Sequence, residues 1–236
     1  MTRYCTIIIA VIFFTACRSQ PVHSDCGEYG YIGKIKQIRK TTFSNIVAAD
    51  TNRISKDSKG ELTEIYYADR NGNFDSLFTE RAISEEDTLS YKRKFRFENP
   101  KRRSWEAYDM ANRVLMSGSI DWLTDKKYDE KVFYPGGGLK YETITSLNEK
   151  FRIFKILVKG YDPSGNVTQN SMQEFYFFDS GDINYITTTD LDLNKTEMRT
   201  YEYLHKDRIG NPTEVLITKP NSKSKSLLRI EYEYYE

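Results

Sequence analysis

Five oxygen-bearing side chains sit at the spacing of a metal loop: Asp69, Asn71, Asn73 and Asp75 at alternate positions, with Glu80 eleven residues after Asp69. Alternating acids and amides closed by a Glu are the ligand positions of a calcium loop, because a hard cation takes several oxygens at once. The glycine such a loop needs at its sixth position is absent. Phe74 stands there, and Gly72 falls two residues early. The spacing Asp-x-x-Gly-Asn recurs at residues 162–166 and 207–211 without the downstream acids. The stretch is therefore predicted to be a hairpin loop, and no resident metal or other cofactor is expected.

Other routes to chemistry are narrow. The chain has two histidines, His23 and His205, far apart in sequence, so no Ser-His-Asp or Cys-His set can be assembled and no histidine metal cluster is in prospect. No enzymatic activity is expected. Cations are dense from Lys92 to Arg103, and Trp105 and Trp122 follow. Arg102, Arg103, Trp105 and Trp122 form the candidate ligand surface: the guanidinium groups suit anionic head groups or acidic polysaccharide, and an indole can stack on a sugar ring. The competing reading is plain structure, with Lys92, Lys94 and Arg96 on the wet face of a strand and the indoles packed inside. Across the chain 35 basic residues balance 34 acidic ones, which leaves no electrostatic footprint for nucleic acid.

The elements that must position these residues read as strands. Aromatics reach 14%, with 18 Tyr and 13 Phe, a composition that suits pleated sheet. Strict alternation recurs: Leu228, Ile230, Tyr232 and Tyr234 oppose Arg229, Glu231 and Glu233, and Phe95 and Phe97 alternate with Lys94, Arg96 and Glu98. Period-2 patterning of this kind describes a sheet with one covered face and one wet face. Turn signals at residues 59–60, 69–73, 135–138, 162–166, 180–182 and 207–211 separate the runs. Residues 107–115 fit a short helix or a strand pair, the strand pair being preferred. The expected fold is all-β: an antiparallel meander of about a dozen strands in a single twisted or curled sheet, closed at most partly into a roll, forming one domain over residues 31–236.

The N-terminus carries an address. Arg3, an apolar run from Thr6 to Phe14 and the small residues Thr15 and Ala16 have the layout of a secretory signal peptide over residues 1–16. Phe14-Thr15-Ala16-Cys17 resembles the lipobox of bacterial lipoproteins, with Phe in place of the usual Leu. The resemblance implies lipidation of Cys17, a tether over residues 17–30, and anchoring in the cell envelope. Arg18-Ser19-Gln20-Pro21 lacks the signals that such lipoproteins use for inner-membrane retention or surface export, which implies the outer membrane, facing the periplasm. Cys26 is left as a lone thiol in the tether.

Tyr161-Asp162-x-x-Gly165-Asn166, and Tyr203-x-x-x-Asp207-x-x-Gly210-Asn211 followed by the closing Glu231-Tyr232-Glu233-Tyr234-Tyr235, resemble the YD repeats of Rhs proteins. More closely, they resemble single-domain lipoproteins of the Bacteroides group. Tyr134-Pro135-Gly136-Gly137-Gly138-Leu139 is similar to MORN-type hairpins. These resemblances imply hairpins rather than chemistry. The expected role is non-enzymatic: a membrane-anchored protein whose sheet surface meets a protein or glycan partner, or alternatively a carrier or chaperone for an apolar ligand such as a lipid or lipoprotein.

Overall fold

The computed structural model of the chain describes residues 23–46, 60–83, 87–98, 101–220, 222 and 225–236. The signal peptide and the acylation candidate Cys17 lie outside them. A short helix α1 (Asp25–Glu28) is followed by fourteen strands: β1 (Ile35–Ile46), β2 (Leu62–Ala68), β3 (Phe74–Ala82), β4 (Thr88–Glu98), β5 (Lys101–Asp109), β6 (Val114–Thr124), β7 (Lys127–Phe133), β8 (Leu139–Leu147), β9 (Ile153–Tyr161), β10 (Val167–Phe177), β11 (Ile183–Asp190), β12 (Lys195–Lys206), β13 (Pro212–Thr218) and β14 (Lys225–Tyr234). Each strand pairs antiparallel with the next. β1 also pairs with β14, from Ile35 opposite Tyr234 to Ile46 opposite Lys225, so the sheet is a closed barrel. The all-β meander stands as expected. The partial roll does not, because closure is complete, and it removes both sheet edges. Residues 107–115 belong to the β5–β6 hairpin.

The loops explain how so regular a meander forms. Seven of them, at residues 69–73, 109–113, 134–138, 148–152, 162–166, 178–182 and 207–211, share one geometry. The first residue's N–H donates to the fifth residue's carbonyl, and the fourth residue's N–H donates back to the first carbonyl. The fourth residue is left-handed in every case, with φ from 50s to just over 100 degrees, as at Phe151 (57°) and Gly210 (104°). This is the three-residue hairpin loop with a bulge. Where an Asp opens the loop its carboxylate fixes the turn as well: Asp162 Oδ1 accepts from the amides of Ser164 (2.8 Å) and Asn166 (2.9 Å).

Alternation then sorts the two walls. On β4, Lys92, Lys94, Arg96 and Glu98 are exposed, while Tyr91, Arg93, Phe95 and Phe97 are half-buried and face inward. The outer wall is laced with ion pairs between neighbouring strands, among them Arg96–Glu106 (3.1 Å), Lys155–Glu174 (3.9 Å) and Lys131–Glu142 (3.9 Å). Inside, one core cluster gathers Trp105, Ala107, Ile120, Tyr128, Val132, Leu147 and Ile153. A second holds Ile35, Ile38, Ala68, Phe74 and Ile230 around Cys26.

Cys26 is inside because the segment before β1 is folded in. Residues 23–30, counted with the tether in the sequence reading, pack against the barrel interior at the end where β1 begins and β14 finishes. Ser24 caps α1, accepting from the Gly27 amide at 3.1 Å. The Cys26 N–H donates to the Gly72 carbonyl (2.9 Å), and the Phe74 N–H donates to Asp25 Oδ2 (2.7 Å). Asn211 clamps the exit of the segment, accepting from the Ile32 amide (2.8 Å) and donating to the Ile32 carbonyl (2.7 Å). Polar composition suggests a tether here. The segment nevertheless packs in place, because its backbone and most of its buried polar groups find partners on the barrel wall.

Candidate functional site: the barrel lumen

The plug is held by charge. Arg102 on β5 points inward, its Nη2 donating to Glu28 Oε2 at 2.9 Å, and its Nε stands 2.8 Å from Asp25 Oδ1. Asp25 and Glu28 are essentially fully buried. The two carboxylates are not treated alike. The Nε–Oδ1 contact lies off the hydrogen-bonding axis, leaving both atoms without a formal hydrogen bond. Burial accordingly pushes the Asp25 carboxyl up to about 6, against the pull of Arg102. Burial also works against Glu28, but Arg102, the His23 ring (2.6 Å) and the Tyr128 hydroxyl (3.3 Å) outweigh it and hold that carboxyl below its ordinary value. The Cys26 thiol is pushed up to about 12 by burial, so it stays protonated and is no nucleophile.

Beyond the plug lies an internal cavity of about 350 Å³. Its lining is amphipathic. Ile153, Ile156, Val158 and Phe95 give it apolar wall, while Arg93, Glu64, Glu130, Thr143, Thr145 and Gln173 bring polar groups, with Tyr66, Tyr91 and Tyr128 between them. Lys40, on the inner face of β1, sits over three rings, those of Tyr66 (4.5 Å), Tyr29 (5.1 Å) and Tyr31 (5.3 Å). Arg93 packs over Trp105, its guanidinium carbon 4.0 Å from the ring centroid. The Trp105 indole N–H donates to Glu130 Oε1 at 2.5 Å. On its other side Trp105 rests on Gly118, its partner across the β5–β6 ladder, where an added Cβ would stand 2.3 Å from the indole.

A larger cleft of about 800 Å³ opens at the plugged end, lined by His205, Asp207, Arg229, Glu231 and Tyr234. It is wider and more solvent-exposed, and its cation Arg229 is paired with Glu214 at 3.0 Å. The lumen is the stronger candidate, because it is more sheltered than the cleft and polar groups converge on it.

The residues singled out from sequence are dispersed by this arrangement. Trp105 is buried at 2% exposure and Arg102 at 9%, so both belong to the interior rather than to a surface. Trp122 is half-buried, donating to the Arg102 carbonyl (3.1 Å) with its ring edge-on to His23 (4.9 Å). Arg103 alone is exposed, and it pairs with Glu98 at 3.2 Å. At the metal-like spacing, Asp69 Oδ1 accepts from the amides of Asn71 (2.8 Å) and Asn73 (2.9 Å), as the other hairpin aspartates do, so its carboxylate serves the turn. Glu80 lies on β3 opposite Ser90, away from that loop. Lys40 went unnoticed in sequence, and Arg93 counted only as one of the run of cations from Lys92 to Arg103, not as a lumen residue. Arg93 carried a signal: it shares its face of β4 with Tyr91, Phe95 and Phe97.

No protein-family model matches the chain, and no curated protein does. Among solved structures it is similar to a porin-like protein from Bacteroides vulgatus, at 10% identity over 84% of this chain and 98% of that one, with a TM-score of 0.49. A porin-like protein from Bacteroides uniformis follows at 11% identity, 84% and 98% coverage and a TM-score of 0.44. A LolA superfamily protein from Nitrosomonas europaea is 11% identical over 89% of this chain and 90% of that one, with a TM-score of 0.29.

Proposed function

We propose that this is a lipid-anchored envelope protein whose barrel stands in water and carries an amphiphilic small molecule in its lumen, without catalysing a reaction on it. The observation that carries the reading is the contrast between the two walls. A barrel that spans a membrane needs an outward apolar band about 25 Å tall, and each Lys or Arg at its midplane costs about 2–4 kcal/mol. Here the outward positions along the middle of β4 are Lys92, Lys94 and Arg96, all exposed, and their neighbours on other strands are ion-paired. On the same strand Tyr91, Phe95 and Phe97 face inward, and Phe95, Ile153, Ile156 and Val158 give the cavity its apolar wall. That inversion suits a container rather than a pore.

The anchor rests on the sequence: the signal peptide, Cys17, and the outer-membrane sense of residues 18–21. The alternative, a sheet surface that binds a partner, has one observation in its favour, the stacked Tyr176 and Tyr185 rings (4.3 Å) on the outer wall. The sheltered amphipathic lumen favours the carrier.

The test is native mass spectrometry of the mature protein gently extracted from its own envelope. A bound species of lipid mass, released on denaturation, is expected. A ligand-free protein that also takes up no added single-chain lipid would overturn the reading.

A further inference from the structure

We infer that the lumen has a defined head-group site, and that the site is Arg93: the cavity takes a single-chain amphiphile whose head is an oxyanion, a carboxylate or a phosphate. The inference rests on the carrier reading above and deepens it.

Arg93 is the side chain that the rest of the lumen leaves unfinished. Its Nε is buried and has no hydrogen-bond partner. Among the described residues no carboxylate lies within ion-pair distance of it, in contrast to Arg102 on the next strand, which has two. An arginine carries its charge at any physiological pH, so a half-buried guanidinium without an ion-pair partner, its Nε shut off from water, is ready to take an anion. The two carboxylates nearby in the lining do not serve. Glu130 is engaged by the Trp105 indole N–H, and Glu64 lies across the ladder from Lys40. Thr79, opposite Tyr91 on the β3–β4 ladder, adds a second buried and partnerless group, its hydroxyl.

The geometry is that of a prepared receptor. Trp105 supports the guanidinium at 4.0 Å and is itself backed by Gly118, so the cation rests on a firm part of the wall. A guanidinium has N–H groups in a fork that matches the paired oxygens of a carboxylate or phosphate. Thr143, Thr145 and Gln173 line the same cavity and can donate to a head group, while Ile156 and Val158 offer wall for a chain. At about 350 Å³ the space lies at the small end of ligand pockets, which suits one chain rather than two.

The experiment compares three probes of equal chain length, dodecanoate, dodecyl phosphate and dodecanol. Each is titrated into the acyl-free mature protein and its Arg93→Gln variant by calorimetry, with Trp emission followed in parallel. The expected result is that at least one of the two anions binds wild type ten times or more tighter than dodecanol, and shifts the Trp emission. That ratio corresponds to about 1.4 kcal/mol. In Arg93→Gln the preference should vanish while dodecanol binding is unchanged. Whichever anion is preferred identifies a carboxylate or a phosphate head. Dodecanol binding wild type as tightly as both anions, or a preference that survives in Arg93→Gln, overturns the head-group site and leaves the carrier reading standing. If none of the three binds, both fail. Because Arg93 makes no ion pair, the variant loses only its contact with Trp105, and a melting curve of each protein confirms that the comparison is between folded chains.

Discussion

Arg102 offers the sharpest test of how the plug is held. Arg102→Met keeps most of the side chain's apolar length and removes its charge. Asp25 and Glu28, both essentially fully buried, are then left with the Phe74 amide, His23 and the Tyr128 hydroxyl. Removing one partner of a buried ion cluster costs about 3–5 kcal/mol, because the remaining charge stays out of water. The cost falls on the docked plug more than on the strands, since the plug can swing out and hydrate its carboxylates. Cys26 reports that motion. It is buried at 4% exposure with its thiol pushed up to about 12, so it should resist a thiol reagent while the plug is docked. In protein with Cys17 replaced by Ser, labelling of Cys26 should accelerate about a hundred-fold or more in Arg102→Met, at about 1.4 kcal/mol per factor of ten. The charge-free set Asp25→Asn/Glu28→Gln/Arg102→Met should recover most of the protection, because nothing buried is then left uncompensated. Labelling of Arg102→Met within a few-fold of its parent would refute the argument that this cluster holds the plug.

Three further outcomes follow from the same structure. With its carboxyl raised from 3.8 to about 6, Asp25 keeps a proton in the folded chain that the unfolded chain has already lost, so its contribution is present at pH 4 and lost as the pH rises through 6. Wild type should therefore lose about 2 kcal/mol against Asp25→Asn between pH 4 and pH 7 in denaturant titrations, and a flat difference would count against it. Gly118→Ala places a Cβ 2.3 Å from the Trp105 indole and should cost about 1–3 kcal/mol of stability, with a shifted Trp emission spectrum as the check. Cys17→Ala should abolish palmitate labelling of the precursor and release the protein from the membrane fraction; unchanged labelling would end the lipoprotein assignment.

Local structure was legible in the sequence because its causes are local. The alternation of Leu228 to Tyr234 and the Asp-x-x-Gly-Asn loops mark strands and turns through side-chain direction and backbone preference alone. Two of the shared loops escaped notice because Asn112 and Phe151 occupy the left-handed position that glycine advertises elsewhere. Closure was not legible. Whether β1 meets β14 depends on curvature summed around the whole sheet, and no short window of sequence records that. The plug was hidden for a related reason: residues 23–30 are polar and lack an apolar face, and only the inward Arg102 makes their burial sensible. Trp105 and Arg102 looked like surface because the run of cations around them masks the register. Ala107, two residues after Trp105 and fully buried, was the available clue that this face turns inward.

The closing seam has a consequence for how the chain reaches its final form. Thirteen of the ladders join neighbours along the chain and can zip up as short hairpins, whereas the β1–β14 ladder joins Ile35 to Tyr234 across nearly the whole described chain. Contacts of such sequence separation form late, since the loop they close must be ordered first. As the chain emerges in order, β1 precedes the other described strands, and one of its edges waits bare until β14 arrives. A bare edge in a crowded medium is an invitation to pair with the wrong chain. The seam is thus the step at which this protein most needs protection from its neighbours, and the step after which it no longer does.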